Sequence, residues 1–190
     1  MLVAGTDTSA TTVEWVMALF LNHPEALAEV QIEIDSVVGH DRLVEDSDLQ
    51  NLTYLQSVSS LKHFDSIHQP RSHFLMNPLR MPLEPELWED LDRFVPERFG
   101  HGRREYKGYK SIPFGVGRRA CPGPGATLGR LVVGLIVGAL IQCFKWQRFG
   151  VEEIDMAEGS GCTMPPATPV EALCKPREKN DAVSSQFTSP

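Results

Sequence analysis

Apolar residues at Val13, Val16, Met17, Phe20 and Leu21 repeat at the i, i+3, i+4, i+7, i+8 spacing of one helix face. The spacing predicts a helix that ends near Asn22. Pro24 suits the first turn of a second helix, where its missing N–H costs nothing. Leu27, Val30, Ile34 and Val37 carry the period on until Gly39 offers a terminus. A polar connection from His40 to Asp46 leads to Ser47, whose hydroxyl suits an N-cap. A third helical start follows, bearing Leu49, Leu52, Leu55 and Val58.

After Ser60 the pattern breaks. Residues 61–85 hold His63, His68 and His73 among four prolines, with no sustained period of 3.6 or 2, and read as irregular. A five-residue spacing does not put the three histidines on one helix face, and no carboxylate cluster joins them, so they read as a solvated loop and not a metal site. Residues 86–91 fit a single helical turn, and residues 94–125, rich in Gly, Pro and Arg, read as loop. Thr127 to Gln142 is then a strong helix. It is apolar nearly all round, at Leu128, Leu131, Val132, Val133, Leu135, Ile136, Val137, Leu140 and Ile141, which predicts a core on more than one of its sides. Gly129, Gly134 and Gly138 would let neighbours approach closely. Lys145–Phe149 and Thr168–Cys174 fit short strands, and Pro176–Pro190 reads as a polar, disordered tail. No segment repeats another. The pattern is that of a mainly α fold with minor β.

Composition changes this picture little. With 190 residues, 42% of them hydrophobic and 23% charged, the chain fits one globular domain. A formal net charge of −7 argues against binding nucleic acid, whose phosphates call for a basic surface. The four cysteines, Cys121, Cys143, Cys162 and Cys174, include no CxxC pair and follow no signal peptide, so a disulfide scaffold is not expected. The apolar run from Leu131 to Phe144 is too short for a membrane span. The sequon at Asn51-Leu52-Thr53 matters only in a secreted protein, and nothing points to secretion.

The chemistry concentrates just before the apolar helix, in Phe114-Gly-Val-Gly117-Arg-Arg119-Ala-Cys121-Pro-Gly123-Pro-Gly125. A cysteine just ahead of a helix start lies near free backbone N–H groups and the positive end of the helix dipole. Arg118 and Arg119 add charge, so the thiolate is favoured as nucleophile or metal ligand. The glycines let the backbone fold tightly and something flat come close. The pattern Phe114-x-x-Gly117-x-Arg119-x-Cys121-x-Gly123 resembles the haem-binding loop of the cytochrome P450 family. That resemblance implies a Cys121 thiolate ligand to the iron of haem b. It further implies that Phe114 packs beside the haem, Arg119 reaches a haem propionate, and Gly123 lets the next helix pack tightly.

Two other segments resemble the same family. Ala4-Gly5-Thr6-Asp7-Thr8-Ser9 is similar to the oxygen-activation segment of the family's long central helix; by itself it reads equally well as an ordinary helix N-cap. In the family reading Gly5 leaves room for oxygen against the backbone, and Asp7 and Thr8 relay protons. Phe94-Val-Pro-Glu-Arg98-Phe99 resembles the meander segment, with Arg98 in a structural role. The wording of Gln142-Cys-Phe-Lys-Trp146 and Met156-Ala-Glu-Gly159 resembles plant microsomal members, among them those that hydroxylate isoflavones. The resemblance implies the C-terminal part of a cytochrome P450 fold and a monooxygenase acting on a small lipophilic molecule, with electrons from NADPH through a reductase. A complete relative sits on the cytosolic face of the endoplasmic reticulum.

Two departures temper that expectation. Met1 falls within the central helix, so the membrane anchor, most of the substrate pocket and the helices over the other haem edge are expected to be absent, leaving a chain that can be cytosolic. No Glu-x-x-Arg occurs, although the family places one shortly after Leu55-Gln56-Ser57. Ser59-x-x-Lys62 stands nearest, and neither residue reproduces a bidentate carboxylate–guanidinium lock, which leaves Arg98 without its family partner. Asp90-x-x-Arg93 has suitable spacing but reads as a surface pair. Residues 61–85 resemble translation in a shifted frame or through a wrong exon junction. From Arg93 to Arg119 positive charges exceed negative ones by six; that stretch fits an acidic reductase or an ordinary solvated loop. Three readings stand side by side: a haem monooxygenase with little activity in this form, a non-enzymatic remnant that binds no haem, and a small thiol protein using Cys121.

Overall fold

A computed structural model describes residues 2–58, 126–161 and 163–177. The irregular segment 61–85, the charged stretch 93–119, Cys162 and residues 178–190 lie outside the described residues. Helix α1 runs Leu2–Asn22, α2 Pro24–Val37 and α3 Asp46–Leu49; residues 53–58 are helical and form α4. Helix α5 spans Ala126–Cys143 and passes directly into β1, Phe144–Arg148. Strand β2, Ala172–Pro176, pairs antiparallel with β1 in a register that sets Trp146 opposite Cys174.

The predicted apolar face of α1 is the one that packs: Val16 and Phe20 are fully buried. They join Leu27, Val30 and Ile34 of α2, and Leu52, Leu55 and Val58 beyond it, in one cluster completed by Val133, Val137 and Ile141 of α5. Each such side chain contributes about 1.5–3 kcal/mol by leaving water. Glycines set the closest approach. A Cβ on Gly134 would stand 3.2 Å from Leu49, and one on Gly138 would stand 3.1 Å from Val44.

Three expectations shift. Ser47 is not the cap of α3, because Glu45 takes that place and Asp48 accepts a hydrogen bond from its N–H at 2.9 Å. Helix α5 packs against α1, α2 and α3, in keeping with its apolar breadth, while Leu128 and Ile136 remain 52% and 42% exposed. The strands lie at 144–148 and 172–176, displaced from 145–149 and 168–174. The fold also continues into the expected tail, since Pro176 ends β2 and Arg177 is buried.

Polar seams explain that last point. Arg177 donates two hydrogen bonds to Asp35 of α2, at 3.0 and 2.6 Å, and one to the Gln142 carbonyl. Gln142, fully buried, accepts from Val44 N–H at 3.0 Å and donates to the carbonyls of Gly39 and Arg42. Glu33 supplies the cap that α4 lacks: its carboxylate accepts from the Tyr54 and Leu55 N–H groups and from the Thr53 hydroxyl. Between the strands, Gly159 N–H donates to Pro165 O and Ala167 N–H to Ala157 O. Trp15 donates its indole N–H to the carbonyl of Met164, whose φ of 44° is a left-handed conformation unusual for a side-chain-bearing residue.

Candidate functional site

The described part of the candidate site is the N-terminal half of α1 and the start of α5. Helix α1 runs unbroken from Leu2, so Thr6 to Ser9 are interior helical residues and the N-cap reading of that hexapeptide falls away. Helical spacing puts Gly5, Ser9, Thr12 and Val16 on one stripe. Burial declines along it, from a fully buried Val16 through half-buried Thr12 and Ser9 to an exposed Gly5.

Two hydroxyls on this stripe turn back onto the helix. Ser9 Oγ donates to the Gly5 carbonyl and Thr12 Oγ1 to the Thr8 carbonyl, each at 2.8 Å. Asp7 and Thr8 are exposed. A Cβ placed on Gly5 would meet nothing within 4 Å. The surface at residues 5–8 is thus open, with a carboxylate and an alcohol adjacent in sequence.

Helix α5 packs against α1. Its first residue, Ala126, directly follows the Gly-rich loop, so the amide end of α5, positive by its dipole, lies close in sequence to Cys121, Arg118 and Arg119. The fold therefore sets the helix bearing Gly5, Asp7 and Thr8 beside the helix that the loop leads into. Phe114, Gly117, Arg119, Cys121, Gly123 and Arg98 themselves lie outside the described residues. Among the described residues, what the site offers a bound group is the exposed face of α1 at Gly5, where a side chain would meet nothing within 4 Å.

Two further cysteines are described. Cys143 is a free thiol at the end of α5, and burial pushes its pKa up, against a smaller opposing effect of Arg177. Cys174 is free and exposed on β2. Among the described residues no group of His, Cys, Asp and Glu side chains is arranged to hold a metal ion, and no helix is long and apolar enough to cross a membrane.

Sequence reasoning missed the residues that hold this frame together, namely Glu33, Asp35, Gln142 and Arg177. Gln142 did carry a signal, as a lone polar side chain closing an apolar helix.

The cytochrome P450 family model matches residues 1–59 and 71–170. Cytochrome P450 81Q32 of Catharanthus roseus is 48% identical over 197 residues, covering 93% of this chain and 39% of that protein. The (+)-piperitol/(+)-sesamin synthase of Sesamum radiatum is 40% identical over all of this chain and 40% of its own length. The isoflavone 3'-hydroxylase of Medicago truncatula is 42% identical over 92% of this chain and 38% of its own length. Among solved structures, a zebrafish cytochrome P450 with abiraterone superposes with a TM-score of 0.76 at 26% identity, covering 92% of this chain and 46% of that one. The chain spans about two fifths of the length of the curated relatives it matches.

Proposed function

From the premise that the chain belongs to the cytochrome P450 family, we propose that it is the haem-thiolate part of a plant monooxygenase that hydroxylates a small lipophilic metabolite. The observation that carries this reading is the family match through residues 71–170, which takes in the whole loop from Phe114 to Gly125, joined to a fold that packs α1 against the helix following that loop.

In this reading Cys121 holds the iron through its thiolate, favoured by Arg118, Arg119 and the amide end of α5. Arg119 binds a propionate by charge-assisted hydrogen bonds. Phe114 shields the sulfur side of the loop from water, and Gly117 and Gly123 let the backbone lie close to a flat group. On the other side, Gly5 keeps its stretch of α1 clear. The Asp7 carboxylate takes protons from solvent and the Thr8 hydroxyl passes them inward, a role that suits exposed polar groups on an open helix face. Bound there, haem b supplies activation of O2 and transfer of one oxygen atom to a C–H bond.

The basic stretch Arg93–Arg119 is the proposed docking face for an acidic, NADPH-fed reductase, and the endoplasmic reticulum membrane is the proposed location of a full-length relative. The names of the Sesamum and Medicago relatives support a small plant product as substrate class. In its present sequence the chain is expected to turn over little, because Ser59 and Lys62 cannot form the lock that Glu-x-x-Arg forms with the meander arginine.

The remnant reading makes the opposite prediction for haem, which a titration decides. Haem added to the purified chain should saturate near one equivalent, and Cys121→Ala should lose the thiolate-type spectrum. Equal, weak and unsaturable uptake by both proteins would leave the remnant reading standing.

A further inference from the structure

We propose that residues 2–58 and 126–177 belong to one folding unit, and that the two blocks remain bound to each other when the backbone between them is cut. A common hydrophobic cluster draws on both blocks, from Val16 and Phe20 of α1 to Val137 and Ile141 of α5. An apolar cluster alone would be permissive. What makes the association specific is a set of polar seams in which one partner precedes residue 59 and the other follows residue 125.

Asn22 and Ile154 exchange two hydrogen bonds, side-chain amide to carbonyl at 3.0 Å and backbone N–H to side-chain oxygen at 2.8 Å. Gln142 satisfies three backbone groups of the turn after α2. Arg177 closes the unit on Asp35 with a bidentate pair. These seams are spread over the unit, at the end of α1, the end of α5 and the residue after β2, so that no single hinge lets the blocks part. Bonds joining residues 98 to 142 positions apart bear the loop-closure cost of the chain between them, a cost that grows only slowly with loop length. Buried groups such as Gln142 and Arg177 would lose partners on separation, which penalises dissociation more than simple loss of contact does.

The experiment uses the full chain with a site-specific protease sequence replacing residues 64–70, studied without haem so that its outcome is independent of the proposed function. After complete cleavage both pieces should elute together at the volume of the uncut chain. Amide exchange over residues 15–21 and 133–142 should stay within about threefold of the uncut chain, as expected when a cooperative unit is intact. A second chain with the same site and Gly138→Leu wedges α5 from Val44 and Leu55, and after cleavage its pieces should separate. The proposal is overturned if the cut chain falls into separate or precipitated pieces, or if exchange in those helices rises to that of an unfolded chain. It is overturned equally if the Gly138→Leu pieces stay together as well as the others, since the association would then be nonspecific, or if the uncut chain does not fold.

Discussion

Removing the Arg177 guanidinium strips Asp35 of its bidentate partner and the Gln142 carbonyl of a donor. The Arg177 side chain is 9% exposed and that of Asp35 is 24% exposed, so the pair is only partly screened. Arg177→Ala should cost about 2 kcal/mol or more, below the roughly 3–5 kcal/mol of a fully buried pair. Arg177→Lys should recover only part, because an ammonium lacks the planar fork. Chemical denaturation of the three proteins gives both values. A second residue-scale prediction concerns pH. The Arg42 guanidinium, hydrogen-bonded to Asp48 at 2.6 and 2.7 Å, holds the Asp48 carboxyl below its ordinary value; partial burial opposes this, and the Glu45 N–H makes a lesser contribution in the same direction as Arg42. A carboxylate pKa lowered on folding gives stability that is complete above its unfolded value, about 3.9, and is lost as pH falls through the lower folded value. Acid titration should therefore show Asp48→Asn less stable than the parent at pH 7, with the gap closing below pH of about 4.

At the scale of elements, the helices were legible because their apolar positions obey one period. The period places Val16, Phe20, Val30, Ile34, Leu52, Leu55 and Val58 facing inward, and all are fully or almost fully buried. What the pattern hid is how the short elements end and meet. Ser47 looks like a cap, but Glu45 and Asp48 form the reciprocal arrangement instead, and no local signal marks a carboxylate twenty residues upstream as the cap of α4. Arg177 belongs to the fold and not to a tail for the same reason, since its partner Asp35 lies 142 positions away. Glu33→Gln tests that long-range cap. One of its two acceptor oxygens becomes an amide donor facing a backbone N–H, so the substitution should cost about 1 kcal/mol, as losing a cap does. Amide exchange at Tyr54 and Leu55 should rise well before global unfolding, and unchanged exchange there would show that α4 holds its start without α2.

At the scale of the whole molecule, the sequence offers the candidate site as a local motif, a Gly-rich loop with one cysteine just ahead of a helix. Cys121, Arg119 and their glycines lie outside the described residues, so their roles remain proposals tied to the family. The frame around them is a finding: α1 with an open face at Gly5 and Asp7, packed against the helix that follows the loop. The family match pauses over residues 60–70, where the sequence departs from its expected Glu-x-x-Arg, and resumes at residue 71. The central claim is that the loop still ligates haem through Cys121 in spite of that departure. Its most direct test is the absorption spectrum of the haem-loaded chain after reduction and addition of carbon monoxide, recorded beside Cys121→Ala. The account predicts the red-shifted Soret band of a thiolate-ligated haem in the parent and its loss in the variant; the same band in both proteins, or in neither, would contradict it.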